Sequence, residues 1–171
     1  MRLAVIPARG GSKRIPQKNI RLFAGKPMLS YAVAAAQASG LFDRVMVSTD
    51  DMSVADIARQ YGAEIPFTRP ASLADDHSPT LPVIQHALNF YRQQGHAVSL
   101  VGCIYPAVPL LSADDLQRAA NILGDCRQSY AFPVCPFPCP PQRALQRDSK
   151  GITRMADNSF AATRSQDLPN A

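Results

Sequence analysis

A polar loop near the N-terminus carries the residues best suited to chemistry. It covers residues 7–19, Pro-Ala-Arg-Gly-Gly-Ser-Lys-Arg-Ile-Pro-Gln-Lys-Asn, and follows the apolar run of residues 3–6. The pair Gly10-Gly11 allows close approach to a ligand and positive φ angles, so that successive N–H groups can bind an anion. Four bases surround the pair: Arg9, Lys13, Arg14 and Lys18. This combination predicts a phosphate site of the kind that nucleotidyl transfer needs.

The loop matches neither of two common phosphate-binding motifs. It has neither the G-x-x-x-x-G-K-[ST] pattern of the P-loop nor the G-x-G-x-x-G pattern of dinucleotide-binding folds. Two glycines among bases also occur in ordinary surface turns, which is the structural alternative. The position of the loop directly after the first predicted strand favours a binding site.

The distribution of charge separates nucleotide binding from nucleic-acid binding. The net charge is +5, but residues 1–26 contain seven bases and no acid, and the rest of the chain has 11 bases against 13 acids. Nucleic-acid binders usually spread bases over a face and add stacking aromatic residues. Phe23 is the only aromatic residue among residues 1–26. The pattern therefore favours a compact polyanion, such as a nucleoside triphosphate, over a nucleic acid.

Apolar runs and helical periodicities alternate along the chain. Predicted strands cover residues 3–6, 45–49, 98–104 and 130–134, with a brief extended piece at 64–67. Predicted helices cover residues 29–39, 53–61, 81–94 and 112–123, the last opened by a Ser-x-x-Asp capping box. Glycines 40, 62 and 95 are placed to end the first three helices. Such alternation indicates βαβ units around a parallel sheet.

The predicted sheet brings three loops to one edge. Residues 8–20, 50–51 and 105–112 each follow a predicted strand. Because ligands bind at the carboxyl ends of parallel strands, we expect these loops to line one crevice.

Length and composition predict a single domain in the cytosol. The chain has 171 residues, and no run approaches the roughly 18 apolar residues of a membrane span. The polar loop follows the first apolar run too soon for a signal peptide. The four cysteines are expected to be reduced, with a Cys135–Cys139 redox pair as the alternative. The three histidines lack partners at metal-ligand spacing.

Three pairs of acids are expected to serve helix capping and helix dipoles rather than metal binding. They are residues 50–51, 75–76 and 114–115. Asp50 keeps a candidate site role because it ends a strand at the active edge.

Several segments together resemble the sugar-acid cytidylyltransferases, which make CMP-activated nonulosonic acids from CTP. The loop resembles the family's N-terminal signature, and further matches lie at residues 26–29, 47–51, 61–64, 69–70, 73–76 and 80. Residues 137–138, 142–145 and 163–169 look most like the pseudaminic acid branch. The resemblance covers essentially the whole chain.

This resemblance implies a Rossmann-like α/β/α sandwich of the nucleotide-diphospho-sugar transferase type, with a mostly parallel sheet, over residues 1–171. It implies transfer of CMP from CTP to pseudaminic acid, with release of pyrophosphate. Two alternatives stay open. The acceptor is sialic acid or another ketosugar acid, or the chain is an inactive nucleotide-binding fragment.

Residue roles also follow from the resemblance. Arg9 and Lys18 would be catalytic. The nucleotide would contact Ala8, Arg9, Gly10, Gly11, Ser12, Lys13, Arg14, Asn19, Arg69 and Thr80. The sugar acid would contact Gln142, Arg143, Arg164 and Gln166, since arginine suits a carboxylate through paired hydrogen bonds.

The resemblance further implies Mg²⁺ at the phosphates and a homodimer for the complete protein. Family members continue past the motif at residues 163–169 and supply metal carboxylates from that continuation. We therefore expect the C-terminal part to be missing here and the metal ligands to lie beyond residue 171. On this expectation, the activity of the chain as written is open.

Overall fold

A computed structural model describes residues 1–13, 15–75, 78–125, 130–137 and 139–168. The chain divides into two compact units, Met1–Ala131 and Phe132–Ala171. The expectation of one domain over the whole chain stays a prediction.

The first unit contains the predicted alternation of strands and helices. In chain order its elements are β1 (Arg2–Pro7), β2 (Leu22–Phe23), β3 (Lys26–Pro27), α1 (Met28–Ala38), β4 (Arg44–Ser48), α2 (Met52–Gln60), a 3-10 turn (Ala71–Leu73), α3 (Thr80–Gln93), β5 (Leu100–Cys103) and α4 (Ala113–Asp125). Strands β4, β1 and β5 form a parallel sheet in that order, with Leu3 opposite Arg44 on one side and Val101 on the other. The extended piece at 64–67 adds one parallel bridge, between Met46 and Glu64.

The central strand β1 is buried on both faces, as a strand between two helical layers must be. Its alternate residues Ala4 and Ile6 belong to a core with α1 and α2, against which Leu116 of α4 packs. Leu3 and Val5 face the opposite way, into a second core with α3. The predicted α/β/α sandwich is confirmed for this unit.

Local signals set the helix ends. Asp51 accepts hydrogen bonds from the N–H groups of Ser53 and Val54 and so caps α2. The predicted capping box of α4 is present, because the Ser112 hydroxyl accepts from Asp115 N–H and the Asp115 carboxylate accepts from Ser112 N–H. Gly40 follows α1 with φ +63°, a conformation that favours glycine.

Two predictions about elements were wrong. Residues 130–137 contain no strand, because Pro133 and Pro136 have no N–H to donate to a neighbouring strand. Residues 8–28 were predicted as a loop throughout, yet β2 and β3 pair as a small antiparallel hairpin. Ala24 and Gly25 join these strands with φ +45° and +81°, which suits a tight primed turn.

The second unit is built from short elements. It contains 3-10 turns at Pro141–Arg143, Asn158–Phe160 and Ser165–Asp167, and the antiparallel hairpin of β6 (Leu145–Arg147) and β7 (Thr153–Met155). The Asp148 carboxylate accepts from the N–H groups of Lys150 and Ile152 and closes the hairpin turn.

Cys103, Cys135 and Cys139 are free thiols, whereas Cys126 lies outside the described residues. Within the described parts of the chain, no helix has the length and apolar character needed to cross a bilayer.

Candidate active site

A cavity of about 180 Å³ lies in the first unit, and the segments after β1 and β5 line it. It is at the edge where the parallel strands end, as predicted for the segments after β1 and β5, whereas residues 50 and 51 are not among its lining residues. Its lining residues are Pro7, Arg9, Ser12, Lys18, Asn19, Arg69, Leu73, Asp75, Ser78, Thr80, Val83, Tyr105 and Pro106. Six of the ten predicted nucleotide-contacting or catalytic residues whose side chains are described are among them, and each of the others is placed below.

Asn19 fixes the shape of the basic loop. Its side-chain amide donates to the Arg9 carbonyl (2.9 Å), and its own carbonyl accepts from Leu29 N–H (2.8 Å). It thereby ties the end of β1 to the first turn of α1. Asn19 is 4% exposed, and its Oδ1 has no hydrogen-bond partner among the described residues. Since a buried acceptor without a partner is costly, Oδ1 is suited to receive a donor from a ligand in the cavity.

Arg9 and Lys18 bring two charges of the basic segment to the cavity. The Arg9 guanidinium donates to the carbonyl of Asp75 (2.7 Å), which orients it across the cavity wall. Lys18 follows Gln17, whose φ of +52° is unusual for a residue with a side chain. The Gln17 carbonyl accepts from Ile20 and Arg21 N–H groups, so this turn is fixed by main-chain hydrogen bonds.

Arg69 supplies a third charge from a buried position. It is 5% exposed, and its guanidinium donates to the hydroxyl (3.0 Å) and the carbonyl oxygen of Ser48, the last residue of β4. Burial lowers the pKa of Arg69, Asp50 opposes this effect, and the nearby charge of Arg9 adds to it. Arginine still remains protonated at neutral pH. A buried guanidinium held by neutral oxygens keeps its positive charge available to an anion.

The glycine pair does not have the positive φ angles predicted for it. Neither Gly10 nor Gly11 is among the glycines with positive φ, so that prediction was wrong. Gly10 is instead packed so closely on Asp51 that a Cβ there would lie 2.7 Å from the Asp51 Cβ. Its N–H donates to the Asp50 carboxylate (3.1 Å), and its carbonyl accepts from Ser12 N–H. The Gly10 N–H is thus engaged by the protein, and the predicted contact of Gly10 with a nucleotide stays a prediction.

Three further predicted loop residues, Ala8, Gly11 and Lys13, are not among the residues that line the cavity. Ala8 is buried and donates its N–H to the Ser48 carbonyl (2.9 Å). Gly11 and Lys13 are exposed. Arg14 lies outside the described residues. Their predicted contacts with a nucleotide stay predictions.

Asp75 and Tyr105 are among the lining residues that were not predicted as site residues. The Asp75 carboxylate accepts from both the N–H and the hydroxyl of Ser78 (2.6 Å each), so the segment before α3 folds back on itself. Tyr105 lies directly after Ile104 at the end of β5, and its hydroxyl is 3.2 Å from the Thr80 hydroxyl. Tyr105 belongs to the segment 105–112, which was expected to line the crevice because ligands bind where parallel strands end, although it was not given a role of its own.

The predicted sugar-contacting residues all belong to the second unit. Arg143 donates to the Thr163 carbonyl, and its Nε and the Gln142 Oε1 are buried without a hydrogen-bond partner among the described residues. Arg164 makes paired hydrogen bonds with Asp167 (2.8 and 3.2 Å). Gln166 is exposed.

The described residues do not form a protein-built metal site. Among them, no three His, Cys, Asp or Glu side chains are grouped to hold an ion. The carboxylate that lines the cavity, Asp75, is engaged by Ser78. Asp50 is hydrogen-bonded to Gly10, and Asp51 caps α2. His86 packs edge-on against Phe67, with ring centroids 4.5 Å apart.

A solved structure shares this fold. The CMP:2-keto-3-deoxy-manno-octonic acid synthetase complexed with CTP aligns with a TM-score of 0.61 at 23% identity, covering 74% of this chain. The chain spans about half (48%) of the length of that protein. At this identity the likeness supports the nucleotidyltransferase fold.

Comparison of sequences identifies the family more specifically than the shared fold does. The chain is 40% identical over 169 residues to the pseudaminic acid cytidylyltransferase of Campylobacter jejuni subsp. jejuni serotype O:2, covering 99% of this chain and 73% of that protein. It is 36% identical over 149 residues to the CMP-N,N'-diacetyllegionaminic acid synthase of Legionella pneumophila, covering 87% of this chain and 64% of that protein. The family model described as Cytidylyltransferase matches residues 3–137, and the chain belongs to this family of nucleotidyltransferases.

Proposed function

We propose that this protein transfers CMP from CTP to a nine-carbon sugar acid, pseudaminic acid, and releases pyrophosphate. The proposal rests on one observation. The side chains of Arg9, Lys18 and Arg69 line the same cavity at the carboxyl edge of the sheet. Three cations in a concave, partly buried site fit a triphosphate. Relatives that match almost the whole chain are named pseudaminic acid cytidylyltransferases, which supports this acceptor.

In this proposal, the CTP phosphates lie against the side chains of the basic loop. A hydroxyl of the sugar acid attacks the α-phosphorus, a new P–O bond forms, and the bond to pyrophosphate breaks. The hydroxyl proton passes to solvent. Lys18 stabilises the charge that develops on the α-phosphate oxygens, and Arg9, held by Asn19 and Asp75, orients the phosphates.

Asn19, Arg69 and Thr80 are proposed to contact CTP as well, Arg69 through the phosphates. The Asn19 Oδ1 offers a buried acceptor for a hydroxyl or amino donor of CTP. Thr80 begins α3, so the positive end of the helix dipole adds to the field that attracts the nucleotide.

The sugar acid is proposed to contact Gln142, Arg143, Arg164 and Gln166. Asp167 occupies one edge of the Arg164 guanidinium, through Nε and Nη2, and the Nη1 side has further N–H donors for a substrate carboxylate.

Magnesium stays a prediction, as do the homodimer and the cytosolic location. Mg²⁺ supplies charge neutralisation at transferring phosphates. It usually takes one or two carboxylates and completes its shell with phosphates and water. The described carboxylates near the cavity are engaged by protein donors and do not fit a ready-made site, so no step here depends on the ion.

The proposal is tested by pyrophosphate release from CTP with separate acceptors: pseudaminic acid, sialic acid and an eight-carbon ketosugar acid. Pseudaminic acid is expected to give the highest kcat/KM. Faster release of pyrophosphate with sialic acid would show that sialic acid, rather than pseudaminic acid, is the acceptor. CTP binding without release for any acceptor would favour the inactive nucleotide-binding alternative.

A further inference from the structure

Tyr105 is a large aromatic side chain on the cavity wall that the proposed mechanism does not use. It is 58% exposed, whereas Arg69 on the same cavity is 5% exposed. Tyr105 therefore lies at the open side and Arg69 at the closed side. An exposed aromatic ring beside a concave site commonly marks a contact surface.

The ring is fixed in place at two points. Its main chain continues directly from Ile104, which is 3% exposed and belongs to the core beside β1. Its hydroxyl shares a hydrogen bond with the hydroxyl of Thr80, the first residue of α3. The hydroxyl contact joins the residue after β5 to the first residue of α3 and favours one orientation of the ring.

The size of the cavity limits what it can enclose. Its volume of about 180 Å³ is below the roughly 300–1,000 Å³ of typical ligand sites. CTP alone is larger than this volume, so it would fill the cavity and extend onto the rim, where the acceptor must also rest.

We propose that Tyr105 is the platform for the acceptor sugar and a specificity-determining residue for it. This inference rests on the proposed function. The neutral ring contacts the C–H face of the sugar, and the hydroxyl held by Thr80 hydrogen-bonds a sugar hydroxyl. The charged wall takes the phosphates, and the ribose enters with them because it is covalently attached. The acceptor is an independent molecule, so it approaches from the exposed side, where Tyr105 lies.

The test compares Tyr105→Ala and Tyr105→Phe with a control, Tyr130→Ala. Tyr130 is another exposed tyrosine of the first unit, 72% exposed, and it is not among the cavity-lining residues. Calorimetry measures the Kd of CTP, and then the Kd of pseudaminic acid on the chain saturated with a non-transferable CTP analogue. Circular dichroism confirms that each variant is folded.

Tyr105→Ala is expected to weaken acceptor binding about tenfold or more, because both ring contact and hydroxyl are lost. Tyr105→Phe is expected to weaken it about threefold. Both should leave the Kd of CTP within about twofold of wild type, as should Tyr130→Ala for both ligands. Weakened CTP binding with unchanged acceptor binding would assign Tyr105 to the nucleotide and overturn the inference. Unchanged binding of both ligands would also overturn it. Failure of the wild-type chain to bind any sugar acid would instead overturn the proposed function, and the inference with it.

Discussion

The two ends of β4 hold arginines in opposite ways. At its start, Arg44 pairs with Glu64 (2.8 and 3.0 Å), which also accepts from the Tyr91 hydroxyl (2.9 Å); we call these three residues the Glu64 cluster. At its other end, Arg69 donates to the neutral oxygens of Ser48 beside the cavity. The protein neutralises the first charge internally. The second charge has neutral hydrogen-bond partners and Asp50 nearby, and we propose that the phosphates of CTP meet it.

This difference separates polar groups that stabilise the fold from those that serve a ligand. The Glu64 cluster joins β4 to α3, and the Arg44 guanidinium lies 5.8 Å from the centroid of the Tyr91 ring. The cavity collects positive charge around a concave surface. Variants of the cavity should change binding and turnover, whereas variants of the Glu64 cluster should change stability.

The largest effect is expected for Lys18→Ala. Turnover of CTP should fall about a hundredfold or more, because a charge stabiliser of the transition state is lost. The thermal midpoint should hardly change, since Lys18 is exposed on the loop. Steady-state kinetics and thermal unfolding measure the two quantities.

The matched control is Lys26→Ala, which removes an exposed lysine from the same basic segment but not from the cavity wall. It should keep near-wild-type turnover. Equal losses in the two variants would mean that general charge, rather than position, matters.

The comparison of the two arginines comes next. Arg69→Met should weaken CTP binding about tenfold to a hundredfold, as expected for a lost charged hydrogen bond. Arg44→Met should leave CTP binding unchanged and lower the free energy of unfolding by about 1 kcal/mol, since its pair is partly exposed to solvent. Calorimetry and urea unfolding measure both. Weak CTP binding by Arg44→Met would erase the proposed distinction.

The variant Tyr91→Phe tests the Glu64 cluster through the pH dependence of the free energy of unfolding. Burial raises the pKa of Tyr91, and the hydrogen bond and charge of Glu64 raise it further. Because the pKa of Tyr91 is raised in the folded state, its neutral phenol stabilises the protein below about pH 10, the ordinary phenol pKa. This contribution is lost as the pH rises through the folded-state pKa. The variant should be about 1 kcal/mol less stable at neutral pH and lose less stability in alkali. Parallel alkaline slopes for variant and wild type would contradict this.

The smallest effect concerns a charge used only for helix capping. Hydrogen bonds from the Ser112 hydroxyl and N–H lower the pKa of Asp115 to about 2, and Arg118 contributes. The ionised carboxylate therefore stabilises α4 above its ordinary pKa, and this contribution is lost as pH falls through about 2. Asp115→Asn should slightly lower the thermal midpoint at pH 7 and leave turnover unchanged. A difference from wild type that persists undiminished at pH 2 would contradict the assignment.

The parts of the fold that follow from local patterns were predicted well. The buried strand β1, the cap at Asp51 and the Ser112–Asp115 capping box each depend on a few adjacent residues. The strand predicted at residues 130–134 is absent. Its apolar pattern is typical of a strand, but the prolines in and beside it cannot donate a hydrogen bond to a neighbouring strand. The β2–β3 hairpin was missed since its strands have two residues each, too few for a periodicity.

The charged residues of the site were predicted from the sequence, but the contacts that arrange the site were not. Arg9, Lys18 and Arg69 could be named because charge and resemblance point to them. The contact of Gly10 with Asp51 depends on residues 41 positions apart, and that of Thr80 with Tyr105 on residues 25 apart. Spacing alone does not specify such contacts, because they arise only once the sheet has brought the strand ends together.

Calorimetric titration of the wild-type chain with CTP, UTP, ATP and GTP tests the central claim most directly. If the cavity binds CTP for cytidylyl transfer, CTP should bind more tightly than the other three nucleotides. Arg69→Met should weaken this binding, and Arg44→Met should keep it. Binding of ATP as tight as that of CTP would contradict the account.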